Sequence, residues 1–256
     1  ASNQLYIKDI VFTTSALGPD PTLDMHYNKS LPFHYSTLKN SWTLGLDIEL
    51  EVSDQYVSII SGKFGKKIFE NNSKNDNVWK EKGNSLDNIS FDGDKWHYYR
   101  KNERLIYNFS LVDENIYLLE SITDFDNNTL HISRNQFNKI SKITDASGRD
   151  MSLSYSGENC TGFSLLDGRS ASFSYTSNGF LKEVVDLAGN VIKYSYNTDN
   201  DLITMDINDK ITSFSYNFVH GFNRLVSTDT YSGQNIIYEF EPLNNSTNLS
   251  KIKANG

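Results

Sequence analysis

The chain has 256 residues, 38% hydrophobic and 13% aromatic, with a formal net charge of −8. That apolar content suffices for one large core or two modest ones and excludes a disordered chain. An acidic chain with scattered bases excludes a nucleic-acid partner, four prolines exclude collagen-like structure, and a single cysteine, Cys160, excludes an internal disulfide framework.

No apolar run approaches the roughly 20 residues of a membrane-spanning helix. Neither a signal peptide nor an initiator Met is present, so targeting is expected to lie elsewhere in a longer parent. The sequons at Asn28, Asn88, Asn108, Asn159 and Asn248 are what so much Asn and Ser produces by chance.

The first 110 residues read as irregular β structure. Residues 44–52 and 56–60 alternate or run apolar, as strands do, and residues 105–109 look like an aromatic strand. Turn-forming residues at 18–21, 71–77 and 92–94 divide the region into short strands, and Lys66-Lys67 reads as a solvated turn. No segment has the pattern of a long helix.

From residue 112 onward a repeat emerges. An Asp-x-x-Gly step recurs at Asp145 and Asp186, each time followed by a strictly alternating strand. Anchored on the Gly position, the series is Asn127, Gly148, Gly168, Gly189, Asp209, Gly233, with spacings of 21, 20, 21, 20 and 24. Five residues past each anchor stand Ile132, Leu153, Phe173, Tyr194, Phe214 and Tyr238; seven past stand Arg134, Tyr155, Tyr175, Tyr196, Tyr216 and Phe240. Apolar pairs three apart precede the turns: Leu119/Ile122, Ile140/Ile143, Cys160/Phe163, Leu181/Val184, Leu202/Met205, Phe222/Leu225 and Leu249/Ile252. The last pair opens a repeat that the sequence does not finish, so the array is expected to continue.

Each unit is therefore a hairpin: apolar-pair strand, turn, aromatic strand. The anchor is expected at positive φ, where glycine is favoured, and the Asp is expected to cap the turn. One strand face carries Met151, Leu153, Tyr155, Phe173, Tyr175, Tyr194 and Tyr196; the other carries Ser152, Ser154, Ser172, Ser174, Lys193 and Ser195. A lone hairpin is marginal in water, so stacked neighbours are expected to bury the aromatic stripe. The lost turn Asp at Leu165 and Thr230, and the 24-residue spacing, predict bulges or longer turns. The fold class is all-β: antiparallel hairpins of about 20 residues in an extended, curved or spiralling sheet.

These units, above all residues 179–196, resemble the YD repeats of the RHS family. The resemblance is strong over 112–256 and weaker over 23–110, where residues 23–30 and 40–45 resemble the region leading into bacterial RHS arrays. It implies two regions, 1–111 leading into the array and 112–256 carrying it. It also implies a sheet that spirals into a hollow shell, secreted or at the bacterial cell surface. The partner so implied is a C-terminal toxin domain of the same parent, enclosed for delivery in intercellular competition. Neither that domain nor a self-cleaving core segment is identifiable here.

No catalytic, cofactor or metal residues are assigned. Asp124, Asp145, Asp186 and Asp206 recur one per repeat, as turn caps do, rather than converging as a glycosidase pair. Residues 124–128 and 199–201 gather oxygen ligands but lack the distal Glu of a calcium loop. His26, His34, His97, His131 and His220 show no zinc spacing. Cys160 stands on the apolar pair and reads as a small core residue. Trp42, Trp79 and Trp96 read as packing residues, with a sugar-stacking surface, and so a carbohydrate- or protein-binding adhesion module, as the alternative.

Overall fold

The computed structural model describes residues 7–13, 15–71, 77–81, 86–219, 222–243 and 246–255. All regular structure among them is β. A three-stranded sheet comes first: β1 (Ile7–Thr13), β2 (Thr22–Tyr27) and β3 (Trp42–Leu44), in that order. Next come β4 (Ile48–Val52), β5 (Tyr56–Ser61), β6 (Gly65–Glu70), β7 (Val78–Glu81), β8 (Asn88–Phe91), β9 (Trp96–Arg100), β10 (Leu105–Asp113) and β11 (Ile116–Asp124). Each pairs with the next, antiparallel. Leu118 of β11 then pairs with Glu49 of β4, which closes these strands into a ring.

The repeat array leaves the ring as a ribbon. β11 pairs with β10 along one edge, while its other edge is shared: Ile116–Leu118 serve β4 and Ser121–Thr123 serve β12 (Thr129–Arg134). From there the chain runs back and forth through β13 (Ile140–Thr144), β14 (Asp150–Ser156), β15 (Asn159–Leu165), β16 (Ser170–Tyr175), β17 (Leu181–Val185) and β18 (Val191–Tyr196). It continues through β19 (Leu202–Ile207), β20 (Lys210–Val219), β21 (Phe222–Asp229), β22 (Asn235–Leu243) and β23 (Ser246–Asn255). The antiparallel sheet expected from the repeat is thus present.

The facing assignment holds. Met151, Leu153, Ala171, Phe173, Ile192, Tyr194 and Phe214 are buried, while Ser152, Ser154, Ser172, Ser174, Lys193 and Ser195 are exposed. One hydrophobic core runs from the N-terminal sheet through the ring into the ribbon. Hence the cover over the aromatic stripe is not supplied by stacked hairpins alone: the N-terminal segment lies on it.

All six turn anchors have positive φ, from +63° at Asn127 to +87° at Gly168. No other side chain or backbone segment stands within 4 Å of where a β-carbon would sit at Gly148, Gly168, Gly189 or Gly233, so the preference is one of local backbone strain. Asp145 shows the turn chemistry. Its carbonyl accepts from Gly148 N at 2.9 Å, and its carboxylate accepts from Ser147 N, Arg149 N and Arg149 Nε at 2.9, 2.9 and 2.6 Å.

Several expectations are corrected. Leu165 and Thr230 do not lengthen their turns. Gly168 N still reaches Leu165 O at 3.1 Å and Gly233 N reaches Thr230 O at 2.9 Å, because the backbone pattern needs no Asp. The 24-residue spacing is absorbed instead by the long strands β20 and β21. Asp206 is not a cap. It lies inside β19, and the turn after it is a tight one centred on Asn208 and Asp209, both at positive φ. Residues 44–52 are not one strand, since a turn at Gly45-Leu46 separates β3 from β4. Lys66 and Lys67 lie in β6, not in a turn, and Lys67 pairs with Glu81 at 2.9 Å. Of the expected turn at 71–77, residues 72–76 lie outside the described residues, as do His220 and the side chains of Phe222, Tyr238, Phe240 and Leu249.

Candidate functional site

The feature that organises the molecule is the aromatic face of the ribbon and the segment docked on it. The pairing of each aromatic strand with the strand that follows it shifts register immediately before the tyrosine seven residues past the anchor, at Tyr155, Tyr175, Tyr196 and Tyr216, the extra residue lying on the following strand. The shift is a bulge that bends the sheet. It recurs every repeat, so it is part of the unit rather than a response to uneven spacing.

The tyrosine after the bulge has a fixed task. Pairing of β17 with β18 ends at Glu183–Lys193, which leaves the Leu181 carbonyl beyond that ladder. Tyr196 OH donates to it at 2.7 Å. In the same way Tyr175 OH donates to Cys160 O at 2.8 Å, Tyr216 OH to Leu202 O at 2.8 Å, and Tyr155 OH to Ile140 O. A buried carbonyl left unpaired is costly, so the hydroxyl ties together the two strands of its own hairpin beyond the end of their ladder, while its ring adds apolar area. Burial pushes the ionisation of Tyr155, Tyr175, Tyr196 and Tyr216 far upward, keeping these hydroxyls neutral donors. Arg134 occupies the same place in the first unit, and its guanidinium donates to the matching carbonyl, Leu119 O, at 3.2 Å.

The N-terminal segment docks by complementary chemistry. Trp42 is fully buried, 4.6 Å from the Tyr194 ring and 5.3 Å from Tyr27, and its Nε1 donates to Tyr196 OH at 2.8 Å. Tyr27 OH accepts from Leu202 N at 3.2 Å, and burial pushes its ionisation up to about 12. Lys29 Nζ reaches Asp201 Oδ1 at 2.8 Å. Thr37 Oγ1 accepts from Ile140 N at 3.3 Å and donates to the buried Asp47 at 2.6 Å. Burial raises the Asp47 carboxyl, against the hydrogen bonds from Thr37 and Leu44 N.

Residues weighed as chemical candidates are dispersed. The carboxylates of Asp124, Asp145 and Asp186 each accept the N–H groups two and four residues on, as turn caps. Asp201 is buried against Lys29 rather than open to a cation. His26 faces Asp24 at 3.0 Å, His34 faces Glu49 at 3.2 Å and His97 faces Asp92 at 2.9 Å, each on a separate strand or loop. His131 is exposed on β12. Among the described residues no cluster of three metal-ligating side chains forms. Cys160 is buried, and burial pushes its thiol up to about 12, the opposite of a nucleophile. Trp42 and Trp96 are buried, and Trp79 meets Trp96 edge-on at 6.0 Å, so the three do not form a sugar-stacking surface.

Residues 99–252 match the family described as teneurin YD-shell, from β9 through the ribbon into β23. The chain belongs to the teneurin YD-shell family. It is a structural shell segment of RHS/YD-repeat type. Among solved structures, the Photorhabdus luminescens Tc holotoxin pore is similar at 11% identity and a TM-score of 0.40, over 91% of this chain and 14% of that one. The TcdB2-TccC3-TEV structure is similar at 10% identity and a TM-score of 0.39, over 97% of this chain and 18% of that one. The N-terminal domain of the effector SpvB from Salmonella typhimurium is similar at 10% identity and a TM-score of 0.24, over 94% and 96% of the two chains. The YD-shell chain thus spans less than a fifth of the Tc toxin chains it resembles. It matches no curated protein.

Sequence reasoning missed two features. The second turn of three units is built by Asn135, Thr176 and Asn197, whose side chains accept the N–H four residues on at 3.1, 3.1 and 2.8 Å. Its signal was readable: Asn138, Gly179 and Asn200 all follow at the positive-φ position. The docking of residues 15–47 on the ribbon left no such local signal.

Proposed function

We propose that this YD-shell chain is a non-catalytic wall segment whose parent encloses a C-terminal toxin domain and carries it out of the bacterial cell for intercellular competition. Residues 1–111 serve as the lead-in and 112–256 as the array. The observation that carries this reading is the uninterrupted ribbon β12–β23, in which each junction between strands is paired. A sheet with one sealed apolar face, one Ser-rich face and a bend in every unit is suited to curving around a volume. The dispersal of carboxylates, histidines and Cys160 supports a non-catalytic role.

The test is limited proteolysis of the full-length parent, followed by mass mapping of its C-terminal domain. Survival of that domain in the native parent, and its digestion once the segment is loosened by Trp42→Ala, is the expected result. Equal digestion of the domain in the native parent and as a free domain would refute enclosure.

A further inference from the structure

A cleft of about 450 Å³ opens where the loop 33–40 passes over two second-turn sites of the ribbon, 135–139 and 156–159. Its cause is local. The turns at Asn135, Thr176 and Asn197 each close a five-residue loop, whereas β14 and β15 are joined directly by Gly157-Glu158, with Ser156 already paired to Asn159. The short turn leaves room beside its longer neighbour.

Two ammonium groups stand in this cleft. Lys139, only 6% exposed, donates to Glu158 O at 3.0 Å, and its Nζ lies 3.7 Å from Glu158 Oε2. Lys39 Nζ lies 3.6 Å from the same oxygen. A single carboxylate therefore faces both cations, and it is half exposed, at 52%. Burial and the adjacent Lys39 lower the pKa of Lys139, while the Glu158 and Asp47 carboxylates raise it, so negative charge beside the pair is what keeps both members protonated. Phe33, Tyr35 and Phe137 wall the cleft, and Phe137 is 40% exposed.

We infer that this cleft is a binding site for an anionic group carried on an aromatic or apolar body, held between Lys39 and Lys139. Glu158 is the internal stand-in for the ligand's carboxylate or phosphate, and it swings outward when the ligand enters. The wall rings take the apolar body, and the two ammonium groups fix the anion. The site is independent of the shell role.

The test is calorimetric titration of the intact chain with N-acetyl-phenylalanyl-aspartate, phenyl phosphate and inorganic phosphate. Glu158→Gln removes the internal competitor and is expected to tighten binding about tenfold, the effect of one charged contact. Lys39→Gln, at a half-exposed position, is expected to weaken it by a similar factor, and Lys139→Met to abolish it, with circular dichroism and melting confirming the fold. Tighter binding of the dipeptide marks a protein acid as the source, and tighter binding of phenyl phosphate marks a phosphorylated ligand. Inorganic phosphate binding as well as either would overturn the role of the aromatic walls. Absence of saturable binding in both the native chain and Glu158→Gln, or binding unchanged by Lys39→Gln, would overturn the site.

Discussion

Trp42→Ala probes the docking of the N-terminal segment on the ribbon. Trp42 is fully buried against Tyr27 and Tyr194 and donates to Tyr196 OH. Truncating a buried Trp costs about 3–5 kcal/mol, through lost transfer energy and the cavity left behind. The Tyr196 hydroxyl loses a donor but keeps its own bond to Leu181 O, so no donor is orphaned and the figure needs no further increase. For a chain of 256 residues each kcal/mol corresponds to about 2–4 °C, so melting should drop by about 6–20 °C. Urea melts with Trp42→Ala, Tyr194→Ala and the double variant should give a coupling of about 0.5–3 kcal/mol, as for residues in contact. A Trp42→Ala cost below about 1 kcal/mol with no coupling would refute the docked arrangement.

Three further outcomes follow from the same geometry. Tyr175→Ala should cost about 3–5 kcal/mol and Ser174→Ala less than about 0.5 in denaturant melts, since one faces the core and bonds Cys160 O while the other is exposed. Gly162→Ala should destabilise more than Gly189→Ala: a β-carbon at Gly162 would stand 2.2 Å from the Ala171 carbonyl oxygen, whereas Gly189 has open space and carries only the strain of φ +83°. Acid melts should show stability lost as pH falls below about 4. At Asp124 the Asn128 amide, and at Asp145 and Asp186 hydrogen bonds that outweigh burial, hold the folded carboxyls below their usual range. A carboxyl depressed in the folded state stabilises above its unfolded pKa and ceases to do so once protonated. Asp145→Asn should therefore flatten the loss, and an unchanged slope would contradict the turn-cap account.

The repeat itself was legible because it is a local pattern. Alternation at 151–155 and 192–196 fixes which side chains share a face, and a positive-φ anchor reveals itself as Gly or Asn. Tyr175, Tyr196 and Tyr216 were visible as a column, but their hydrogen bond to a carbonyl 14 or 15 residues earlier depends on a bulge that shifts register, which spacing alone does not encode. Arg134 looked like the exception in that column, yet it meets the equivalent carbonyl by different chemistry. Asp206 misled because an Asp three before the anchor resembles a cap, although the tight Asn208-Asp209 turn needs none. Trp42, Tyr27 and Lys29 meet Tyr196, Leu202 and Asp201 across more than 150 residues of chain, and nothing in a single sequence pairs positions so far apart. The closure of β4 on β11 was hidden for the same reason.

Hydroxyl-radical footprinting of the native chain tests the central claim directly, because it reads the accessibility of individual rings. Phe173 and Tyr194, 5% and 3% exposed, should be protected by at least about tenfold relative to Phe125 and Tyr231, 49% and 63% exposed. Labelling of Phe173 and Tyr194 at the rate of Tyr231 would show that the aromatic stripe lies open, and with it the sealed wall would be lost.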